Sequence, residues 1–183
     1  MKTGFDHQRY TRMQSEKILE RIRHFGGKLY LEFGGKLFDD YHAARVLPGF
    51  QPDSKIAMLM ELRDQAEMIV VINADDIEKN KVRGDLGITY DADVLRLIDA
   101  FRECGLDKCS VVITQYKSQP HAAKFRRRLR TLGIPAAVHY PIANYPGDVN
   151  LIVSDKGYGK NEFVQTERPL VVVTAPGPGS GKM

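Results

Sequence analysis

Between Gln8 and Phe25, apolar residues recur at helical spacing (Met13, Ile18, Leu19, Ile22, Phe25) with charged residues between them. The pattern predicts an amphipathic helix stopped by Gly26-Gly27. Lys28 to Phe33 then alternates into an extended run that ends at Gly34-Gly35-Lys36. Asp53 or Ser54 can cap a second helix through Gln65, with Ile56, Met58, Leu59 and Leu62 inside, and Met68 to Ile72 follows as a strand. Asn73 to Gly87 reads as a long, strongly charged connection, after which a helix from Asp91 or Asp93 to Cys104 ends at Gly105. Ser110 to Thr114 is the next strand, followed by a polar loop and a basic helix from Pro120 to Leu132. Ala136 to Tyr140 reads as a weaker strand and Leu151-Ile152-Val153 as a shorter one. Leu170 to Val173 has β propensity without polar alternation, as expected of a central parallel strand covered on both faces.

Strands alternating with helices imply an α/β domain, Rossmann-like or P-loop-like, with a largely parallel sheet and helices on both faces. No linker or internal repeat interrupts residues 1–183, so a single domain is expected. In such sheets ligands sit beyond the carboxyl ends of the strands. Most of the segments after the proposed strands carry a cation: Lys36; Lys79, Lys81 and Arg83; Lys117; Lys156 and Lys160; Lys182. Gathered on one rim, they would form a basic cleft suited to an anionic, phosphate-bearing ligand.

The final strand runs into Thr174-Ala175-Pro176-Gly177-Pro178-Gly179-Ser180-Gly181-Lys182-Met183. Glycines after a buried strand let backbone N–H groups approach an anion, and a lysine supplies charge. Gly177, Gly179, Ser180, Gly181 and Lys182 are therefore the candidate phosphate-binding residues, with Gly34, Gly35 and Lys36 as a second such loop. The run departs from G-x-x-x-x-G-K-[ST], since Pro176 stands at the first glycine and Met183 at the metal-binding hydroxyl. It is P-loop-like rather than a Walker motif. Asp39, Asp40, His42 and Arg45 crowd one short loop; acid-base work on a phosphate ligand is one reading, and side-chain to backbone bonding within the loop is the favoured one. Lys79, Lys81, Arg83 and Lys160 complete the candidate cleft.

Composition changes this picture little. The 183 residues are 43% hydrophobic and 27% charged, with a formal charge of +4, which suits a globular domain and an anionic ligand. Arg126-Arg127-Arg128 with Arg130 reads as a solvated face, because consecutive helical residues point around the helix and no aromatic residues interleave to stack bases. Nucleic acid is thus not the expected partner. No signal-peptide core or membrane-length run occurs, so a cytoplasmic location is expected. Cys104 and Cys109 are read as small packing residues.

Four stretches carry a resemblance: Tyr30 to Ala43, Glu78 to Asp91, Leu151 to Asn161 and Thr174 to Met183. Together they resemble the uncharacterised bacterial family catalogued as domain of unknown function eighteen-forty-six. The resemblance implies a chain matching the N-terminal portion of longer proteins, with Pro176 and Met183 as family features. It implies no established activity, and no H-E-x-x-H or assignable Ser-His-Asp or Cys-His set is present. The expected function is therefore binding of a nucleotide, possible with Mg, or of a phosphometabolite, within a phosphoryl-transfer or hydrolytic enzyme. The alternative is a non-catalytic phosphate-ligand sensing or assembly module, and homo-oligomerisation stays open. With no helix after Met183, residues 175 to 183 are expected to form a mobile tail.

Overall fold

The computed structural model describes residues 4–33, 36–38 and 41–181, with the side chains of His42 and Ala43 excepted. Five strands, β1 (Leu29–Glu32), β2 (Ala66–Asn73), β3 (Cys109–Thr114), β4 (Ala136–Val138) and β5 (Leu170–Thr174), form a parallel sheet in the order β1-β5-β2-β3-β4. Leu29 pairs with Leu170 and Glu32 with Val173; Val111 pairs with Ala136 and Ile113 with Val138. The helices are α1 (His7–His24), α2 (Tyr41–Val46), α3 (Ser54–Glu61), α4 (Ala74–Glu78), α5 (Tyr90–Glu103), α6 (Pro120–Thr131) and α7 (Val149–Ile152). Two single 3-10 turns cover Arg63–Gln65 and Tyr158–Lys160. This is an α/β architecture. The last strand in sequence sits between the first two, which is why Leu170, Val171 and Val172 have no exposed surface and read as an unbroken apolar run.

The chain divides into two compact units. The first comprises Met1–Met68, Arg102–Lys108 and Thr166–Thr174. In it the Asp6 carboxylate caps α1 by accepting from Arg9 N at 2.9 Å, and α1 packs on α3. The α1 stripe of Thr11, Ser15, Ile18 and Ile22 is buried. Its two hydroxyls are satisfied locally, and Ser15 also donates to Glu61 at 2.7 Å. Buried Glu67 accepts from the N–H groups of Glu167 and Arg168 ahead of β5. Arg168 in turn donates to the carbonyls of Arg63 and Ala66, each at 2.9 Å.

The second unit comprises Ile69–Phe101, Cys109–Gln165 and Ala175–Met183. Here α6 turns Ala122, Phe125 and Leu129 inward and packs on α4 and β4. Three elements of the chain differ from the sequence reading. Leu151-Ile152-Val153 is not a strand, because residues 149–152 form α7, capped by Asp148 Oδ1 accepting from Leu151 N at 3.0 Å. Val149 and Val153 are exposed, so this apolar run buries too little for a sheet position. The charged connection after β2 opens with α4, which Asn73 caps by accepting from Asp75 N at 2.8 Å. The helix expected through Gln65 tightens into a 3-10 turn after Leu62.

Candidate functional site

The glycine-rich loop after β5 belongs to the second unit, and residues 175–181 are held within it rather than hanging free. Gly177, Pro178, Gly179 and Ser180 follow the type II turn pattern, with proline at the second position and a glycine at φ 78° at the third. Gly177 lies under the Tyr90 phenol, where an added Cβ would come within 2.4 Å of the hydroxyl. Asn73 Nδ2 donates to the Gly179 carbonyl at 3.3 Å, while its Oδ1 caps α4. Thr114, the last residue of β3, donates through Oγ1 to the Ser180 carbonyl at 2.5 Å. Side chains at the ends of β2 and β3 thus hold the loop in place, which is why it differs from the expected tail.

This anchoring leaves particular groups unused. With its two carbonyls engaged by the protein, the loop has positive φ at Gly179 and Gly181 on either side of Ser180, an alternation from which anion-binding nests are built. The N–H groups of Gly177 and Gly181 meet no acceptor among the described residues. Ser180 is 3% exposed, and its hydroxyl is one of two buried side-chain polar atoms without a partner among the described residues. A buried orphan hydroxyl costs about 1 to 3 kcal/mol until something bonds to it.

Gly181 also lines a cavity of about 160 Å³ beyond the ends of β3 and β4, together with Thr114, Gln115, His139, Tyr140 and Tyr158. Gln115 holds a left-handed φ of 55°, a conformation uncommon for a residue with a side chain. Tyr140 is fastened by its N–H to Asn161 Oδ1 at 2.8 Å, and the Lys160 ammonium lies 4.8 Å from its ring centroid. Burial lowers the pKa of His139 below its ordinary value, with nearby Glu162 opposing the shift only in part. Its ring is therefore neutral near pH 7 and can accept a proton.

The predicted site residues are divided between the two units. Lys81 is engaged by Asp76 at 3.2 Å and lies 4.9 Å from the Tyr90 ring centroid. Arg83 bonds to Asp85 at 2.7 Å and to buried Asp93 at 2.8 Å. Burial works against the Arg83 charge, but these two carboxylates outweigh it and raise the pKa. Two cations of the expected basic rim are thereby neutralised internally, while Lys79 is exposed. Lys36 and Arg45 belong to the first unit and are exposed, with Arg45 Nε donating to Tyr41 O at 3.3 Å. Gly34, Gly35, Asp39, Asp40, Lys182 and the His42 side chain lie outside the described residues. Sequence reasoning gave no role to Thr114, His139 or Tyr140. Their one signal is position, at or just past the ends of adjacent strands.

Among the described residues no group of three or more His, Cys, Asp or Glu side chains could hold a metal ion, and no helix is long and apolar enough to cross a membrane. What the fold and loop define is a parallel α/β domain with a glycine-rich loop anchored at its strand ends. The chain belongs to the family described as Domain of unknown function DUF1846, N-terminal, whose model matches residues 3–183. It is similar to UPF0371 proteins of Streptococcus sanguinis (strain SK36) and Streptococcus thermophilus (strain ATCC BAA-491 / LMD-9), at 57% identity over 182 residues in each case. A UPF0371 protein of Streptococcus pyogenes serotype M28 is 56% identical over 184 residues. Each comparison covers 100% of this chain, which spans 37% of the length of these curated relatives.

Proposed function

We propose that this domain binds a small phosphorylated metabolite, with the phosphate on the Gly177–Gly181 loop and the remainder in the adjoining cavity. The observation that carries the reading is the buried, unpartnered Ser180 hydroxyl within an anchored glycine-rich loop. A phosphate oxygen would accept from that hydroxyl and from free loop N–H groups, satisfying donors that otherwise carry a desolvation cost. Size favours a phosphometabolite over a nucleotide, since about 160 Å³ is well below the roughly 300 to 1,000 Å³ of typical ligand sites. A nucleotide would leave its base outside. A nucleotide brought with Mg would have to supply most of the metal's ligands itself or from solvent.

The test is calorimetric titration of inorganic phosphate and a panel of sugar phosphates and nucleotides into the full-length protein. Ser180→Ala is expected to weaken phosphate binding by about tenfold, the loss of one charge-assisted hydrogen bond. The same change should raise the stability of the ligand-free protein by about 1 to 3 kcal/mol, because it removes a buried hydroxyl that has no partner among the described residues. Unchanged affinity in Ser180→Ala would remove the loop from the reading.

A hydrolytic or phosphoryl-transfer role is favoured by His139, a proton-accepting ring lining the same cavity. On this reading His139→Gln keeps phosphate affinity and abolishes turnover in product analysis. Binding with no product from any ligand of the panel would assign the domain to phosphate sensing or assembly instead.

A further inference from the structure

We propose that the groove between α4 and α6 in the second unit is a separate binding site for a small polyanion bearing two or more phosphate groups. The groove encloses about 550 Å³, within the range of small-molecule sites. Lys124, Arg127 and Arg128 line it, above a floor formed by Ile77 and Phe125. None of these three cations meets a carboxylate among the described residues. Asp91 is the one carboxylate in the lining, so the wall carries a net charge of +2 from three cations and one acid.

The rest of α6 shows that this charge is not a uniform solvated face. Arg126 turns away from the groove and clamps both Glu162 oxygens at 2.6 Å, with its guanidinium 5.8 Å from the Tyr116 ring centroid. Lys124 and Arg127 stand at i,i+3, and Lys124 and Arg128 at i,i+4, spacings at which like charges destabilise a helix. The first turn of α6 contains no acidic residue. Its positive end is answered by Glu78, which accepts from His121 N at 3.0 Å. A bound polyanion would relieve this repulsion, and the two guanidinium forks match phosphate oxygens in pairs. The exposed aromatic side chains that would stack nucleobases are absent from the lining, which separates this groove from a single-stranded nucleic-acid track.

The inference does not depend on the Ser180 site. Titration of sodium tripolyphosphate into the full-length protein at 0.15 M salt, with inorganic phosphate as comparator, tests it. Tripolyphosphate is expected to bind more tightly than phosphate. Lys124→Gln and Arg128→Gln should each weaken it about tenfold, the lower bound for one charge-assisted hydrogen bond. Arg130→Gln, on the same helix but outside the groove lining, should leave this binding within twofold. Without ligand, the Lys124→Gln/Arg128→Gln double variant should melt at the same or a higher temperature than the natural protein, since it removes like-charge pairs. Absent binding, unchanged affinity in both charge variants, or a lower melting temperature of the double variant would overturn the proposal. Tighter binding of an oligoglutamate peptide or a short RNA than of tripolyphosphate would overturn it in favour of a macromolecular partner.

Discussion

Removing the Asp93 carboxylate tests how the charged segment between β2 and α5 is fastened. Asp93 is completely buried, yet it accepts from Arg83 Nη1 at 2.8 Å and from Arg96 Nε at 2.7 Å. The two partners differ in environment: the Arg83 side chain is 11% exposed and that of Arg96 is 37% exposed. Breaking a buried ion pair by deleting one partner costs about 3 to 5 kcal/mol, because the remaining charge is stranded. Arg96 is the more exposed partner and its removal leaves Asp93 paired with Arg83, so its contribution is about 0 to 1 kcal/mol. Asp93→Ala is therefore expected to destabilise by about 3 to 5 kcal/mol, Arg83→Ala by nearly as much, and Arg96→Ala by less than about 1 kcal/mol. Arg83 and Asp93 share one interaction, so the double variant should fall short of additivity by about 2 to 3 kcal/mol. Urea unfolding followed by far-UV circular dichroism suits the measurement, since the chain contains no Trp. Hydrogen exchange at the isolated Val82–Thr89 bridge should accelerate in both Asp93→Ala and Arg83→Ala. If Asp93→Ala unfolds within about 1 kcal/mol of the natural protein, or Arg96→Ala costs as much as Arg83→Ala, the assignment of Arg83 as a latch fails and its role as a ligand-facing cation is restored.

Three further outcomes follow from named contacts. Because burial holds His139 below its ordinary pKa of 6.5, the unfolded chain binds that proton more tightly than the folded one. Stability from this ring is constant above about pH 6.5 and falls as pH drops toward the folded pKa. Urea midpoints between pH 7.5 and pH 5 should slope less in His139→Gln, and an identical slope would show that the ring is not the group responsible. At Gly157 an added Cβ would lie 2.1 Å from the Leu151 carbonyl oxygen and 2.4 Å from that of Ile152. Gly157→Ala should thus cost at least about 2 kcal/mol through overpacking against backbone, read as a melting temperature lower by about 4 to 8 °C. Thr114→Val keeps the side-chain shape but leaves the Ser180 carbonyl without its donor, an expected loss of about 1 to 3 kcal/mol. Phosphate affinity should fall with it, and a drop in stability at unchanged affinity would uncouple the anchor from the site.

The local pattern of the chain by itself determined the architecture. Unbroken apolar runs at Met68 to Ile72 and Leu170 to Val173, separated by helices of regular period, admit a parallel α/β sheet and little else. Gly27 and Pro120 marked helix ends because capping chemistry is local. The glycine loop was visible as composition. Tertiary structure decided what local pattern does not encode. It inserted β5 between β1 and β2, a choice made by strands far apart in sequence. It also made α7 from an apolar triplet that reads equally well as a strand, with the Asp148 cap settling the matter. Charge showed the same division. Lys81, Arg83 and Arg126 look alike in sequence to Lys124, Arg127 and Arg128, yet the first three end against carboxylates or aromatic rings and the last three line an open groove. Whether a cation is spent depends on a partner such as Glu162, 36 residues from Arg126. Ser180 is the sharpest instance: a serine in a glycine-rich loop is expected to face water, and burial of its hydroxyl appears only once Asn73, Thr114 and Tyr90 draw the loop onto the strand ends.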